Sequence, residues 1–295
     1  MSTSKSSKLA LGTAQFGLNY GISNKNGLVK KNHAKLILSQ ASQCNIQILD
    51  TAIVYGESEN ILGEIGITGF DVITKLPSIP DGKMDIKAWV INNVSSSLSK
   101  LKVNSLYGLL LHQSSDILGE KGKILNEVFY ELKNKGLVKK IGVSVYDPHE
   151  LDDIERAKIK LDIVQAPFNV FDRRLELSGW LDRLAALGTE VHIRSVFLQG
   201  LLLLPSEVRH KYFSKWAAHF KIWDDWLRIN EISALDACLN FVKSYSNIDI
   251  IIVGVTDTGQ LLEIVSKYEN DNNNLTPKSL VCNDQLLINP TNWFK

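Results

Sequence analysis

Leu106-Tyr-Gly-Leu-Leu-Leu111 is almost free of polar side chains and runs directly into His112. A half-exposed strand alternates apolar and polar residues. An unbroken apolar run is what a parallel strand covered on both faces needs. Ile250-Ile-Ile-Val253 reads the same way. Outward from these two, strand-length runs recur at Leu9–Gly12, Gln47–Asp50, Phe70–Lys75, Leu106–His112, Lys140–Ser144, Asp162–Ala166, Val191–Ser195 and Ile248–Val253. Segments of helical period lie between and after them: Asn32–Cys44, Glu57–Gly66, Asp85–Leu101, Lys123–Lys135, Pro148–Ala157, Leu175–Leu187, Ile232–Ser244 and Thr258–Tyr268. Asn32 reads as an N-cap, and Asp147-Pro148 as an N-cap followed by proline at the first helical position.

Eight strand candidates thus alternate strictly with eight helix candidates. Strict alternation implies a parallel sheet with right-handed crossovers. Eight units imply a closed (β/α)8 TIM barrel, because a doubly wound sheet usually stops at about five or six strands. The 295 residues hold such a barrel plus insertions, and no Pro/Gly/Ser linker divides them, so 1–295 is expected to be a single α/β domain. The rhythm breaks once, in an aromatic-rich insertion at about 204–231 containing Tyr212, Phe213, Trp216, Phe220, Trp223 and Trp226. It reads either as a lid bringing Trp223 or Trp226 onto a substrate, or as an extra helix packing its aromatics outside the barrel. Trp216, Phe220 and Trp223 recur at helical spacing, which favours packing. Asp271–Asn274 is a polar turn.

Composition narrows the function classes. At 44% hydrophobic the chain can bury a core, and 33 basic against 32 acidic residues leave a net charge of +1. That balance offers no argument for nucleic acid or an anionic membrane. Cys44, Cys238 and Cys282 are far apart and form no metal spacing, so reduced thiols and no metal are expected. The polar start Met1–Lys8 has no signal-peptide core, and the longest apolar run, Phe197–Pro205, is interrupted and too short to span a bilayer. A soluble cytoplasmic protein is the expectation.

Barrel chemistry sits at the C-terminal ends of strands. Asp50, Lys75 and His112 end strands two, three and four, and Tyr55 lies in the loop after Asp50. Each alone has a bland reading: Asp50 capping a loop, Tyr55 and Lys75 packing or facing water, His112 structural. Together, at three consecutive strand ends, they make a tuned acid. An isolated tyrosine titrates at about 10, and a nearby ammonium lowers that value. A carboxylate keeps the ammonium charged and placed, and a histidine beside the phenol can bond a substrate carbonyl oxygen.

These residues are where the chain resembles the aldo-keto reductase superfamily. The resemblance rests on Leu11-Gly-Thr-Ala-Gln15, Leu49-Asp-Thr-Ala-Ile-Val-Tyr-Gly-Glu-Ser58, Ile73-Thr-Lys75, Leu110-Leu-His112, Ile141-Gly-Val-Ser144, Val164-Gln165, Gln199-Gly-Leu201 and Ile252-Val-Gly254. It covers essentially the whole chain. It implies an NAD(P)H-dependent oxidoreductase that reduces an aldehyde or ketone. Tyr55 would protonate the carbonyl oxygen, Lys75 paired with Asp50 would lower the pKa of Tyr55, and His112 would orient the carbonyl. Ser144 and Gln165 would hold the nicotinamide amide above Gly12 and Thr13. Ser195, Leu198 and Gly200 would follow the pyrophosphate, and Gly254, Thr256 and Gln260 would reach the adenosine end.

The chain also departs from that family's pattern. Val145 stands where an asparagine usually follows the strand-five serine. Arg194 replaces the aromatic that commonly stacks on the nicotinamide. A guanidinium can stack, yet it repels an oxidised nicotinamide, and it can instead grip an acidic substrate. Asp257 and Gln260 stand where family members that prefer NADPH carry cations for the 2′-phosphate. NADPH is the family default; these two residues point to a relaxed or NADH-leaning preference. Glu263 is retained, but Ile264 replaces the usual asparagine of the adenine clamp.

The substrate pocket is expected from Gln15–Asn26, Trp89 and the aromatic insertion. Asn169, Asp172 and Arg173 either bind polar substrate groups or brace their loop; Lys139 and Lys140 face the bottom. The expected partner is a small-molecule carbonyl compound, sugar-like or acidic. The competing function is a coenzyme-binding regulatory barrel with little turnover, which the altered Val145, Arg194 and Gln260 would suit. A weaker third is an epimerase or dehydratase that uses the coenzyme transiently.

Overall fold

The computed structural model describes residues 7–24, 26–82, 85–270 and 276–294. The polar turn expected at Asp271–Asn274 lies outside them. Eight strands are present: β1 Leu9–Gly12, β2 Ile48–Asp50, β3 Asp71–Leu76, β4 Leu106–Leu111, β5 Val138–Ser144, β6 Ile163–Pro167, β7 Glu190–Arg194 and β8 Ile250–Gly254. They pair in parallel in chain order and close when β8 pairs with β1, in the register Leu9 to Ile251 and Gly12 to Gly254. The expected (β/α)8 barrel is the observed fold. Continuous apolarity made the strands legible because their outer faces pack under helices and their inner faces fill the barrel.

The inner face decides where chemistry can occur. Ile73, Leu110 and Ile163 form a small apolar cluster separate from the main core, with Ile48 and Tyr107 against it. Side chains two apart on a strand share a face. Asp50 therefore stands over Ile48, Lys75 over Ile73, and Gln165 over Ile163. An apolar plug fills the barrel, and polar groups cap it at the C-terminal end. At the other end, Lys140 pairs with Glu190, which also accepts from the Tyr107 hydroxyl at 2.9 Å and sits 3.2 Å from Nε2 of His192. Lys139, just ahead of the expected strand Lys140–Ser144, lies inside β5 with Lys140.

Several boundaries differ from expectation for local reasons. The helix Lys31–Gln43 starts one residue before Asn32, and Lys30 stands at its N-cap with no side-chain bond. The helix His149–Arg156 starts after Pro148, and Asp147 accepts from the backbone of His149 at 3.0 Å as a turn residue. The single helix expected over Leu175–Leu187 is two, Arg174–Leu177 and Trp180–Ala186, divided by Gly179 at φ +77°. A periodic apolar pattern continues across such a break, because helical phase is nearly conserved through one tight turn.

The insertion consists of short 3-10 turns followed by the helix Ala217–Ile229. Phe213, Phe220 and Trp223 are buried, and Trp223 donates from Nε1 to the carbonyl of Leu202 at 3.2 Å. Phe213 meets Trp293 edge-on at 5.1 Å, and Trp216 donates to Asp284 at 2.8 Å, so the C-terminal segment covers the insertion. The aromatics pack beside the barrel. Cys238 and Cys282 are buried and Cys44 half-buried, all as free thiols. Among the described residues no helix is long and apolar enough to cross a membrane.

Candidate active site

Asp50, at the end of β2, and Lys75, next to the end of β3, meet inside the barrel mouth. Lys75 Nζ lies 2.6 and 2.8 Å from the two carboxylate oxygens and donates to the carbonyl of Thr51 at 2.9 Å. Both side chains are buried. Such a pair survives only if its remaining polar valences are met. Gln165 on β6 meets one, donating from Nε2 to Asp50 at 2.7 Å. Thr13 meets a backbone one, donating its hydroxyl to the carbonyl of Asp50 at 3.1 Å.

Tyr55 stands over this pair. Lys75 Nζ is 5.3 Å from the centroid of its ring, and His112 meets the ring edge-on at 6.1 Å between centroids. The Asp-Thr-Ala turn places it. Thr51 donates to Ser58, Ser58 bonds Thr13 at 2.9 Å, and the amide of Tyr55 donates to the carbonyl of Ala52. Glu59, buried on the helix Ser58–Ile65, accepts from Thr74 at 2.7 Å and Ser97 at 3.2 Å and pins that helix to β3. All four residues named from the strand ends therefore converge.

Their protonation differs from expectation in one respect. Burial, with the Asp50 charge, pushes the Tyr55 phenol above its ordinary value, against a smaller pull from Arg194. The expected lowering by Lys75 is not found. Desolvation of the buried phenol, reinforced by the Asp50 carboxylate that pairs with the ammonium, outweighs it. Burial pulls Lys75 itself down, opposed by Asp50. Burial, then Lys75 and Arg194, lowers His112 to about 4. Around neutrality the phenol keeps its proton and the imidazole is uncharged.

A cavity of about 360 Å³ opens from this centre. Asp50, Tyr55 and Arg194 line it beside Gly12 and Thr13; Ser195, Phe197 and Gly200 carry it onward; Gly254, Thr256, Gln260, Glu263 and Ile264 line it beyond β8. Of the remaining expected contacts, Ser144 is buried beside Gln165 on the neighbouring strand. Leu198 is fully buried in the core, so its side chain faces apolar neighbours and only its backbone is on offer. Asp257 does not line the cavity; it caps the helix Thr258–Glu269, accepting from the amide of Gln260 at 2.9 Å. Gln260 folds back, accepting from the amide of Thr256 at 2.9 Å and donating to its hydroxyl at 3.0 Å.

Asn169 and Arg173 brace their loop. Asn169 donates to the carbonyl of Ser195 at 3.0 Å, and Arg173 bonds the carbonyls of Val170 and Pro277. Asp172 pairs with Arg174 at 2.7 Å. Trp89 and the aromatic insertion do not line the cavity. Tyr20, Ser23 and Asn24 do, as the loop after β1 was expected to. Sequence reasoning missed Gly17 and Gly56, which press backbone against backbone beneath Tyr55. Gly56, directly after Tyr55, and Gly17, shortly after β1, were the available signal.

The barrel fold agrees with comparison to known proteins. The model of the aldo/keto reductase family matches residues 8–279. The chain belongs to the aldo/keto reductase family. It is 31% identical over 186 residues to YqkF of Bacillus subtilis, an uncharacterised oxidoreductase. That match spans 59% of this chain and 58% of YqkF. Among solved structures, the holo form of the aldo-keto reductase AKR11C1 of Bacillus halodurans superposes with a TM-score of 0.73 at 20% identity, covering 93% of this chain and 90% of that one. The glycerol dehydrogenase AKR11B4 of Gluconobacter oxydans superposes at 0.67 with 22% identity, covering 91% and 88%. These structures show the same fold in this aldo/keto reductase.

The residues present fit a nicotinamide coenzyme. Gln165 spends its amide N–H on Asp50, while its carbonyl oxygen Oε1 is buried with no hydrogen-bond partner among the described residues. A buried orphan acceptor is costly. A carboxamide N–H, with Ser144 as its neighbour, would relieve it.

Proposed function

We propose that this aldo/keto reductase is an NAD(P)H-dependent oxidoreductase that reduces an aldehyde or ketone to an alcohol, with Tyr55 as general acid. The observation that carries this is the buried Asp50–Lys75 pair beneath Tyr55, with His112 at the ring edge, beside a cavity that Asp50 and Tyr55 line. A reduced nicotinamide, when bound, supplies the hydride. The chain supplies the proton and the field. Neutral His112 donates an N–H to the carbonyl oxygen and polarises it. Tyr55, held above its ordinary pKa, retains its proton until charge develops on that oxygen, then passes it over. Lys75 faces the phenolate that remains, and Asp50 and Gln165 keep the ammonium in place. The apolar plug below excludes water from the pair.

Gly12 and Thr13 would floor the coenzyme, Ser144 and Gln165 would hold its amide, and the Ser195–Gly200 segment its pyrophosphate. Thr256, Gln260, Glu263 and Ile264 would meet the adenosine. Among the described residues no lysine or arginine lines that end of the cavity, and Gln260 is spent on Thr256. A free ribose hydroxyl suits this end better than a 2′-phosphate. The cytoplasm and a small carbonyl substrate are the setting this reading implies.

The test is turnover of a simple aldehyde with coenzyme by the wild type and by Tyr55→Phe. Loss of the proton donor is expected to lower kcat by about 100-fold or more while coenzyme still binds. Coenzyme binding with no wild-type turnover would leave the regulatory barrel as the correct reading.

A further inference from the structure

The carbonyl-reducing chemistry leaves one strong charge in the cavity without a role. Five of the seven arginines, Arg156, Arg174, Arg183, Arg209 and Arg228, are ion-paired. Arg173 is satisfied by carbonyls and the Thr276 hydroxyl. Arg194, at the end of β7, has no carboxylate at ion-pair distance among the described residues, and it lines the same cavity as Tyr55. Its guanidinium lies 4.3 Å from the centroid of the Tyr146 ring, donates to the carbonyl of Val145 at 3.1 Å, and makes a long contact of 3.4 Å to Ser195 Oγ. A guanidinium carries about five N–H donors in a planar fork. These contacts use two, and they hold the plane still against a ring face. What remains is a fixed, unpaired fork of the geometry that bonds a carboxylate or phosphate through two parallel hydrogen bonds.

The surroundings accentuate the charge. Asp50, the carboxylate that lines this end of the cavity among the described residues, is spent on Lys75. The guanidinium field reaches Tyr20, Tyr55 and His112 together, which places it at the reacting centre rather than at a rim. A partly desolvated cation without a counter-charge is unfavourable, and an incoming anion removes that cost.

We propose that Arg194 anchors a carboxylate or phosphate carried by the substrate, so that this enzyme acts on short anionic aldehydes or ketones. The proposal rests on the carbonyl-reductase reading for its substrate arm and is independent of it for its binding arm. The anion and the carbonyl occupy one cavity, so the anchor sets which end of the molecule meets Tyr55 and His112.

The binding arm is calorimetric titration of wild type, Arg194→Gln and Arg194→Lys with malonate and with inorganic phosphate, before and after saturation with coenzyme. One salt-sensitive anion per wild-type chain is expected, surviving saturation, at least tenfold weaker in Arg194→Gln and partly restored in Arg194→Lys. The better probe separates a carboxylate from a phosphate site. Loss of anion binding on saturation assigns Arg194 to the coenzyme pyrophosphate and overturns the proposal, as does unchanged affinity in Arg194→Gln. The substrate arm compares kcat/KM for succinic semialdehyde and glyceraldehyde 3-phosphate with that for butyraldehyde and glyceraldehyde. The anionic-to-neutral ratio is expected to fall at least tenfold in Arg194→Gln, mainly through KM; an unchanged ratio overturns the anchor. Absent turnover of all four by the wild type, with anion binding intact, defeats the carbonyl-reductase reading and leaves the anion site standing.

Discussion

The α-carbon of Gly17 rests against the carbonyl oxygen of Tyr55, so closely that any Cβ at position 17 would collide with it. Gly56, at φ +53°, closes the contact from the other side by facing the carbonyl of Gly17. The Tyr55 backbone is thus clamped between two glycines on different elements. Gly17→Ala must push the Tyr55 loop away from Lys75. A displacement on the order of 1 Å at a reacting group can cost about 100-fold in rate. The expected result is a fall in kcat of at least tenfold with coenzyme affinity retained, measured by steady-state kinetics and fluorescence titration. Wild-type kcat in Gly17→Ala would show that the loop relaxes freely.

Lys75 and Asp50 form a buried pair, and removing one partner strands the other. Lys75→Met leaves an unpaired carboxylate above an apolar plug, a loss of about 3–5 kcal/mol in typical cases. Lys75→Met with Asp50→Asn removes both charges and is expected to be more stable than Lys75→Met alone. Urea unfolding of the three proteins checks the order. A double variant less stable than Lys75→Met would mean that Asp50 is held chiefly by Gln165 and backbone groups.

His112 sets a pH dependence whose sign follows from its environment. Its folded pKa is lowered to about 4 by burial and by the charges of Lys75 and Arg194, whereas an unfolded histidine titrates at about 6.5. Above the unfolded value neither state is protonated and the group has no effect. As pH falls through that window the unfolded chain takes up a proton that the folded chain refuses, so stability is lost until the folded pKa is reached. The melting temperature of His112→Gln relative to wild type should therefore rise between neutral pH and pH about 4.5. A difference independent of pH would show that His112 titrates normally.

Coenzyme preference follows from the β8 loop. Thr256, Gln260 and Asp257 satisfy one another, and among the described residues no lysine or arginine lines that end of the cavity. NADH is expected to serve at least as well as NADPH, by kcat/KM and by direct binding. A tenfold or greater preference for NADPH would sink this. Gln260→Arg should move the preference toward NADPH, because the cap made by the Asp257 side chain to the backbone amide at position 260 does not need the glutamine.

The barrel and the positions of Asp50, Lys75 and His112 were decided by sequence alone. Continuous apolarity marks a strand buried on both faces, and a polar residue directly after it marks the strand's solvent end. Both signals are local, so distance along the chain carries them. The order of elements then fixed which strand ends are neighbours. What the tertiary structure alone decided depends on approach through space. Burial, with the Asp50 carboxylate close by, raises Tyr55 where a lone ammonium would lower it. Asp257 caps a helix that its own loop begins, which removes it from the cavity. The aromatic insertion finds its cover in Trp293 and Asp284, far along the chain. Above all, Arg194 has no carboxylate at ion-pair distance among the described residues, while Asp50 pairs with Lys75 and Asp147 and Asp172 pair with Arg174. The presence of a charge is written in the sequence; its compensation depends on which opposite charges the fold brings within a few ångströms.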